Sequence, residues 1–199
     1  MKKKILYLDR DGIINKHIPY VGTLDRFFWH YEIFTVVKYF HEREYSIIVV
    51  TNQSGIQRGY YSLVDYSSIC IHILEEFEKI GLDIEIRACP HKPDTKCLCR
   101  KPNAGMFLDE RHEEDIMIGD QESDMIAAKN AGIKNRWLLS EKVISTYSTK
   151  KFLSHQKLIE YLMWYFIYTW NIKVNQKELV DFEKDIADSF NNAKIKAPI

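Results

Sequence analysis

The chain has no surplus of either charge: among its 199 residues, 28 lysines and arginines stand against 28 aspartates and glutamates. That balance gives no electrostatic argument for a nucleic-acid or membrane partner, both of which draw on a basic field. A membrane-spanning run is also missing. The most apolar stretch beyond the N-terminus, Tyr161 to Trp170, is aromatic-rich and far short of the roughly 20 residues a bilayer demands. Met1 to Leu8 is basic and then apolar, like an export signal, but the apolar run stops at Asp9-Arg10-Asp11, too soon to form one. Internal repeats and low-complexity tracts are lacking as well. The expectation from these absences is a cytoplasmic globular chain without nucleic-acid or membrane partners, whose four cysteines are reduced thiols.

Short apolar runs alternate with helical patterns, which predicts an α/β fold with a parallel sheet. Strands are expected at Ile5–Leu8, Ile47–Val50, Ile84–Arg87, Asp115–Ile118 and Arg136–Leu139, with a sixth at Phe152-Leu153-Ser154. A helix should run from Ser62 to Lys79, opened by Ser62 with Asp65 as a capping-box variant and closed by Gly81. A second helix, 122–131, ends the same way at Gly132, and an aromatic one follows from His155 to Trp170. Residues 9 to 30, long and without clear period, read as a flap after the first strand. Leu179, Phe182, Ile186 and Phe190 share one face of an amphipathic helix over 176–190, before a frayed tail. The chain is therefore divided into a domain of residues 1–170 and a C-terminal helical extension, 171–199. Monomer and homodimer through that extension both stay open.

In open α/β sheets, ligands bind beyond the carboxyl ends of the strands. Polar clusters stand at three of those ends: Asp9-Arg10-Asp11-Gly12, Thr51-Asn52-Gln53-Ser54-Gly55, and Gly119-Asp120-Gln121-Glu122-Ser123-Asp124. A fourth, Cys99-Arg100-Lys101-Pro102, is expected to open the helix before strand four. Each alone is also an ordinary turn sequence; four on successive connections are hard to produce by chance. Three cysteines and a histidine crowd into Cys89-Pro90-His91 and Cys97-Leu98-Cys99. A Cys₃His set is what Zn²⁺ takes in a closed tetrahedral site, and the proline-broken loop 89–100 has no regular structure to hold it otherwise. Cys70, set among isoleucines in Ser62–Lys79, reads instead as a small buried hydrophobe.

Together these motifs resemble the haloacid dehalogenase superfamily of phosphohydrolases over roughly residues 4 to 139. Asp9 to Gly12 match its D-x-D-G motif, Thr51 its hydroxyl motif, Lys101 its lysine motif, and Asp120 with Asp124 its acidic motif. The zinc loop leading into Arg100-Lys101-Pro102 is similar to the branch holding D-glycero-D-manno-heptose 1,7-bisphosphate phosphatases and histidinol-phosphate phosphatases. The resemblance implies a three-layer Rossmann-like fold without a large cap, and a Mg²⁺-dependent phosphatase. Asp9 would be the nucleophile and Asp11 the general acid and base. Mg²⁺ would bind Asp9, the Asp11 backbone carbonyl and Asp120. Thr51 and Lys101 would hold the phosphoryl group, with Asp124 behind them orienting either Lys101 or a metal-bound water. Asn52 and Gln53 are implied near the transferring group, and Arg58 and Arg100 at the sugar or its second phosphate.

Within that branch, Asn15, Tyr20-Val21, Arg58-Gly59 and Gly105-Met106 resemble the heptose enzymes more than the histidinol ones, which implies a heptose bisphosphate, a small phosphorylated sugar, as substrate. Histidinol phosphate, or a non-catalytic zinc-stabilised scaffold, are the alternatives. Gln121 departs from the pattern, which has a basic residue there, and residues from about 171 onward have no counterpart in it. His17, in the flap, could reach a substrate but reads more simply as a solvated or structural residue.

Overall fold

In the computed structural model, which describes residues 2–169, six short strands form one parallel sheet. They are β1 (Lys4–Leu8), β2 (Tyr45–Asn52), β3 (Ile84–Cys89), β4 (Ile116–Gly119), β5 (Asn135–Leu139) and β6 (Lys150–Phe152). Their order across the sheet is β3-β2-β1-β4-β5-β6. The chain works outward from β1 in one direction and then in the other, so β1 lies at the switch point. All six expected strands are present, with no end shifted by more than two residues. Five helices accompany them: α1 (Glu32–His41), α2 (Gly55–Arg58), α3 (Leu63–Glu78), α4 (Glu122–Asn130) and α5 (His155–Thr169).

The strands form where β-branched and aliphatic residues run unbroken, because the sheet is covered on both faces. Ile5 and Tyr7 point to one face, where Met117, Leu138 and the Met125, Ala127 and Ala128 side of α4 close the core. Leu6 and Leu8 alternate to the other face. There Phe40 of α1 meets Trp137 of β5 at 5.9 Å between ring centres. On α3, Tyr66, Ile69, Ile73 and Phe77 are the buried stripe, spaced three to four residues apart as an amphipathic helix requires. Each such side chain contributes about 1.5–3 kcal/mol on burial. The Ser62 hydroxyl accepts a hydrogen bond from the Asp65 backbone N–H and the Asp65 carboxylate accepts one from the Ser62 backbone N–H, the expected capping box.

The helix expected to open at Cys99 before β4 does not form. Residues 96–115 run as successive turns. Lys101 precedes a proline, which disfavours the α conformation at that residue. The Lys101 backbone is also taken by Asn52: its N–H donates to Asn52 Oδ1 and its carbonyl accepts from Asn52 Nδ2, both at 3.0 Å. Side chains fasten this segment to the sheet instead. Phe107 packs against Tyr7 with tilted rings whose centres are 4.9 Å apart, and Asp109 accepts from the Tyr7 hydroxyl at 2.8 Å and from Arg87 Nη1 at 2.7 Å. Cys70 is half-buried rather than enclosed, and burial raises its thiol pKa.

The chain divides into two compact units, Met1–Leu158 and Ile159–Ile199. The helix expected at 176–190, the tail and the 171–199 extension lie outside the described residues. No helix among the described residues is long and apolar enough to cross a membrane.

Candidate active site and metal centre

Parallel pairing sets the site. Leu8 is in register with Val49 on one side and Ile118 on the other. One residue past this register on β1 comes Asp9, and two residues past it on β2 and β4 come Thr51 and Asp120, all delivered to one end of the sheet. Asp9 N donates to Ile118 O at 3.0 Å, which fixes the nucleophile candidate against β4. Thr51 is fully buried.

Lys101 is buried like a core residue, and its ammonium is fully engaged. Nζ lies 2.7 Å from Asp9 Oδ1, 2.6 Å from Asp124 Oδ1 and 2.7 Å from Val50 O. Of the two positions left open for Asp124, the one on Lys101 is occupied. Burial alone would lower the Lys101 pKa, but the Asp124 and Asp9 charges more than offset it and the value is raised.

Asp9, Asp120 and Asp124 bring ligand oxygens within 4.8 Å of one another, so three buried carboxylates face this one ammonium. Burial and the surrounding carboxylates push Asp9 well above the usual range. Burial and the Asp124 charge push Asp120 up to about 6. Asp120 Oδ1 is buried with no hydrogen-bond partner. A surplus of negative charge around an unpartnered carboxylate oxygen is the environment a hard divalent cation relieves. Gly12, at φ +92, comes so close that a Cβ there would stand 2.4 Å from Asp120 Oδ2; no side chain fits.

Asp11 is gathered by three side chains. Arg10 grips it through Nη2 at 2.7 and 2.9 Å and through Nε at 3.2 Å; Asn15 Nδ2 and Gln53 Nε2 each donate at 3.0 Å. Arg10 itself is completely buried, and Nη2 also donates to Val21 O. Gln53 ties Asp11 to Thr51 Oγ1 at 2.8 Å while accepting from the Tyr61 hydroxyl at 2.7 Å. Both ends of the Asn52 amide are spent on the Lys101 backbone, and both ends of Gln53 on Thr51, Asp11 and Tyr61. Both amides are therefore engaged with neighbouring side chains and backbone of the chain itself.

Arg10 and Tyr61 are the neighbours of these groups that sequence reasoning missed, and His17, read there as solvated or structural, stands beside Asp120. The one signal for Arg10 was an arginine locked between two aspartates at a strand end. His17 Nδ1 stands 3.1 Å from Asp120 Oδ2.

The sulfur cluster assembles as its spacing suggests. Cys89 ends β3 in register with Asn52. Its Sγ lies 3.2 Å from Cys99 Sγ, 3.6 Å from Cys97 Sγ and 3.5 Å from His91 Nδ1; His91 Nδ1 lies 3.2 Å from Cys99 Sγ. All four ligand atoms fall within 4.8 Å of one another. Burial, with the neighbouring Cys99 thiol, pushes Cys89 up to about 12, so without a cation this thiol keeps its proton. Arg100 follows directly and donates from Nη1 to His91 O at 3.2 Å. Lys96, Arg100, Lys101 and Asn103 share the lining of a cleft of about 170 Å³ beside the loop. Arg58 stands exposed at the end of α2.

Residues 13–152 match the family described as polynucleotide kinase 3 phosphatase. The D-glycero-beta-D-manno-heptose-1,7-bisphosphate 7-phosphatase of Helicobacter pylori is 40% identical over 151 residues, 72% of this chain and 87% of that protein. The D-glycero-alpha-D-manno-heptose-1,7-bisphosphate 7-phosphatase of Campylobacter jejuni is 44% identical over 149 residues, 71% of this chain and 86% of its own. In structure, the D,D-heptose 1,7-bisphosphate phosphatase of B. bronchiseptica, complexed with magnesium and phosphate, superimposes with a TM-score of 0.70. That match covers 81% of this chain and 98% of the other at 24% identity, a likeness of fold.

Proposed function

Since the chain belongs to the D-glycero-D-manno-heptose-1,7-bisphosphate 7-phosphatase family, within the group described as polynucleotide kinase 3 phosphatase, we propose that it removes one phosphate from a heptose 1,7-bisphosphate. The observation that carries this reading is Lys101, whose buried ammonium joins Asp9 to Asp124 while Asp120 keeps an unpartnered oxygen beside them. An ordinary structural ion pair has no need of two further buried carboxylates. A site for a metal and a phosphoryl group does.

Asp9 attacks phosphorus; the bond from phosphorus to the sugar oxygen breaks, and an aspartyl-phosphate forms. Asp11 gives its proton to the departing oxygen, then takes one from the water that attacks the aspartyl-phosphate and restores Asp9. Arg10, Asn15 and Gln53 set the direction from which that carboxylate works. Lys101 neutralises charge on the transferring group, and Thr51 holds one of its oxygens. Asp9, Asp120 and the Asp11 carbonyl would hold Mg²⁺, which when bound supplies charge neutralisation and aligns the phosphate. On this reading the enzyme works in the cytoplasm, where its thiols stay reduced.

Cys89, His91, Cys97 and Cys99 would hold Zn²⁺. Their donor set and mutual distances suit a tetrahedral ion with Zn–S bonds of about 2.3 Å. The clamp fixes a loop that leads straight into Arg100 and Lys101. Metal analysis of protein purified without added zinc should find one tightly held zinc per chain, distinct from exchangeable magnesium. Full activity without zinc would argue against the clamp. Cys97→Ser should reduce both stability and turnover, the latter through a displaced Lys101.

Arg58 and Arg100 would take the phosphate that stays on the sugar. The family relatives are named for both anomers, so both heptose bisphosphates belong in the assay, beside histidinol phosphate and p-nitrophenyl phosphate. A bisphosphate should have the highest kcat/KM. Arg100→Ala should lower it by roughly 10–100-fold while changing p-nitrophenyl phosphate hydrolysis much less. Faster turnover of histidinol phosphate than of either bisphosphate would overturn the reading.

A further inference from the structure

We propose that His17 is a positioning residue for Asp120: it fixes the metal-binding carboxylate and thereby ties the flap, residues 9–30, to the metal site. The two oxygens of Asp120 have opposite surroundings. Oδ2 lies 2.8 Å from Gln121 Nε2, which donates to it, and 3.1 Å from His17 Nδ1. Oδ1 is buried and without a partner. Gly12 closes on Oδ2 from a third side, near enough to exclude any side chain. One oxygen is therefore held by two donors and a wall of backbone, and the other is left for a cation. Turning the carboxylate out of this orientation would break both hydrogen bonds.

An ionised carboxylate only accepts, so Nδ1 carries the proton in this contact. A neutral imidazole suffices. The histidine is itself held at its base: Asn15 Nδ2 donates to Lys16 O at 2.9 Å, and Lys16 N donates to Phe28 O at 2.7 Å. Its side chain is otherwise 54% exposed. A surface imidazole with no other partner would contribute little as an ion pair; holding a ligand's orientation is a different task. Groups that orient a metal ligand from behind commonly change metal affinity by about 10–100-fold when removed.

The inference rests on the phosphatase reading only for Asp120 as a metal ligand, and its test needs no substrate. Mn²⁺ binding to the full chain is measured by titration calorimetry, with thermal melting in EDTA alongside. His17→Ala should weaken Mn²⁺ binding about tenfold or more and leave metal-free melting nearly unchanged. His17→Asn, which places an amide N–H near the Nδ1 position, should recover most of the loss. Gln121→Ala should weaken binding through the same oxygen. In turnover assays the half-saturating Mg²⁺ should rise for His17→Ala, with KM for the sugar unchanged at saturating Mg²⁺. Parent-like Mn²⁺ affinity in His17→Ala would overturn the proposal, as would a loss that His17→Asn does not repair. A parent that binds Mn²⁺ yet hydrolyses neither heptose bisphosphate would sink the substrate reading and leave this one standing.

Discussion

Asp9→Asn is expected to lower turnover by roughly 10⁴-fold or more, the scale of losing an essential nucleophile, while the metal-free protein melts no lower than the parent. An amide cannot form the aspartyl-phosphate. The stability half follows from the charges around it. Burial raises the Asp9 pKa well above its unfolded value, with Lys101 lowering it and Asp124, Asp120 and Asp11 raising it again. A carboxylate raised in this way costs the fold its charge at any pH above the folded value, and the cost is relieved as pH falls through it. Asparagine is uncharged throughout, so the variant behaves at neutral pH like the protonated parent. Lys101 keeps Asp124 and Val50 O as partners. Fresh protein checked by mass for deamidation, assayed over many turnovers and melted in EDTA, provides both readouts. Substantial turnover would remove Asp9 from the nucleophile's role.

Lys101→Met should be the most damaging single change to stability in the site, costing about 3–5 kcal/mol in the absence of metal. Methionine matches the length of the lysine stem but leaves two buried carboxylates and the Val50 carbonyl without their shared donor. Turnover should fall by roughly 10²–10³-fold as well, the typical loss of a group that stabilises developing charge. The two losses can be separated. Adding Asp124→Asn to Lys101→Met removes one of the stranded charges and should recover part of the stability without restoring activity. Urea unfolding in EDTA, with and without added Mg²⁺, measures the first; initial rates measure the second. If Lys101→Met is as stable as the parent, the bridge does not carry the charge balance assigned to it.

The parts of this molecule that were legible beforehand are those where one local signal suffices. Ile47 to Val50 is an unbroken apolar run, and a strand covered on both faces produces that run. Ser62 and Asp65 make their capping box within four residues. Cys89, His91, Cys97 and Cys99 needed only their spacing. The helix expected at Cys99 failed because a tertiary contact overrode the local pattern: Asn52, 49 residues earlier, takes both backbone groups of Lys101. Arg10 was illegible for a similar reason. Between two aspartates it looks like a solvated turn residue, and its burial depends on Val21 O and on Tyr66, whose ring lies 5.8 Å from the guanidinium carbon. For His17 the sequence showed a place in the flap but not the contact with Asp120, since that partner is 103 residues away.

The strand order has a consequence for how the chain must fold. β1 is synthesised first but stands in the middle of the sheet, between β2 and β4. Until β4 arrives, one edge of β1 is open: Ile5 N finds its partner only in Asp115, 110 residues on, and Asp9 N finds its own in Ile118. The lysine that balances Asp9 comes 92 residues after it. Closing loops of that length carries a high entropic cost, and contacts separated this widely slow folding. Local pieces such as α3 can form early, but the nucleophile's surroundings are completed among the last steps, when the second half of the sheet docks. A nascent chain that has emerged only as far as Ile86 carries Asp9 and Thr51 on neighbouring strands and no active site at all.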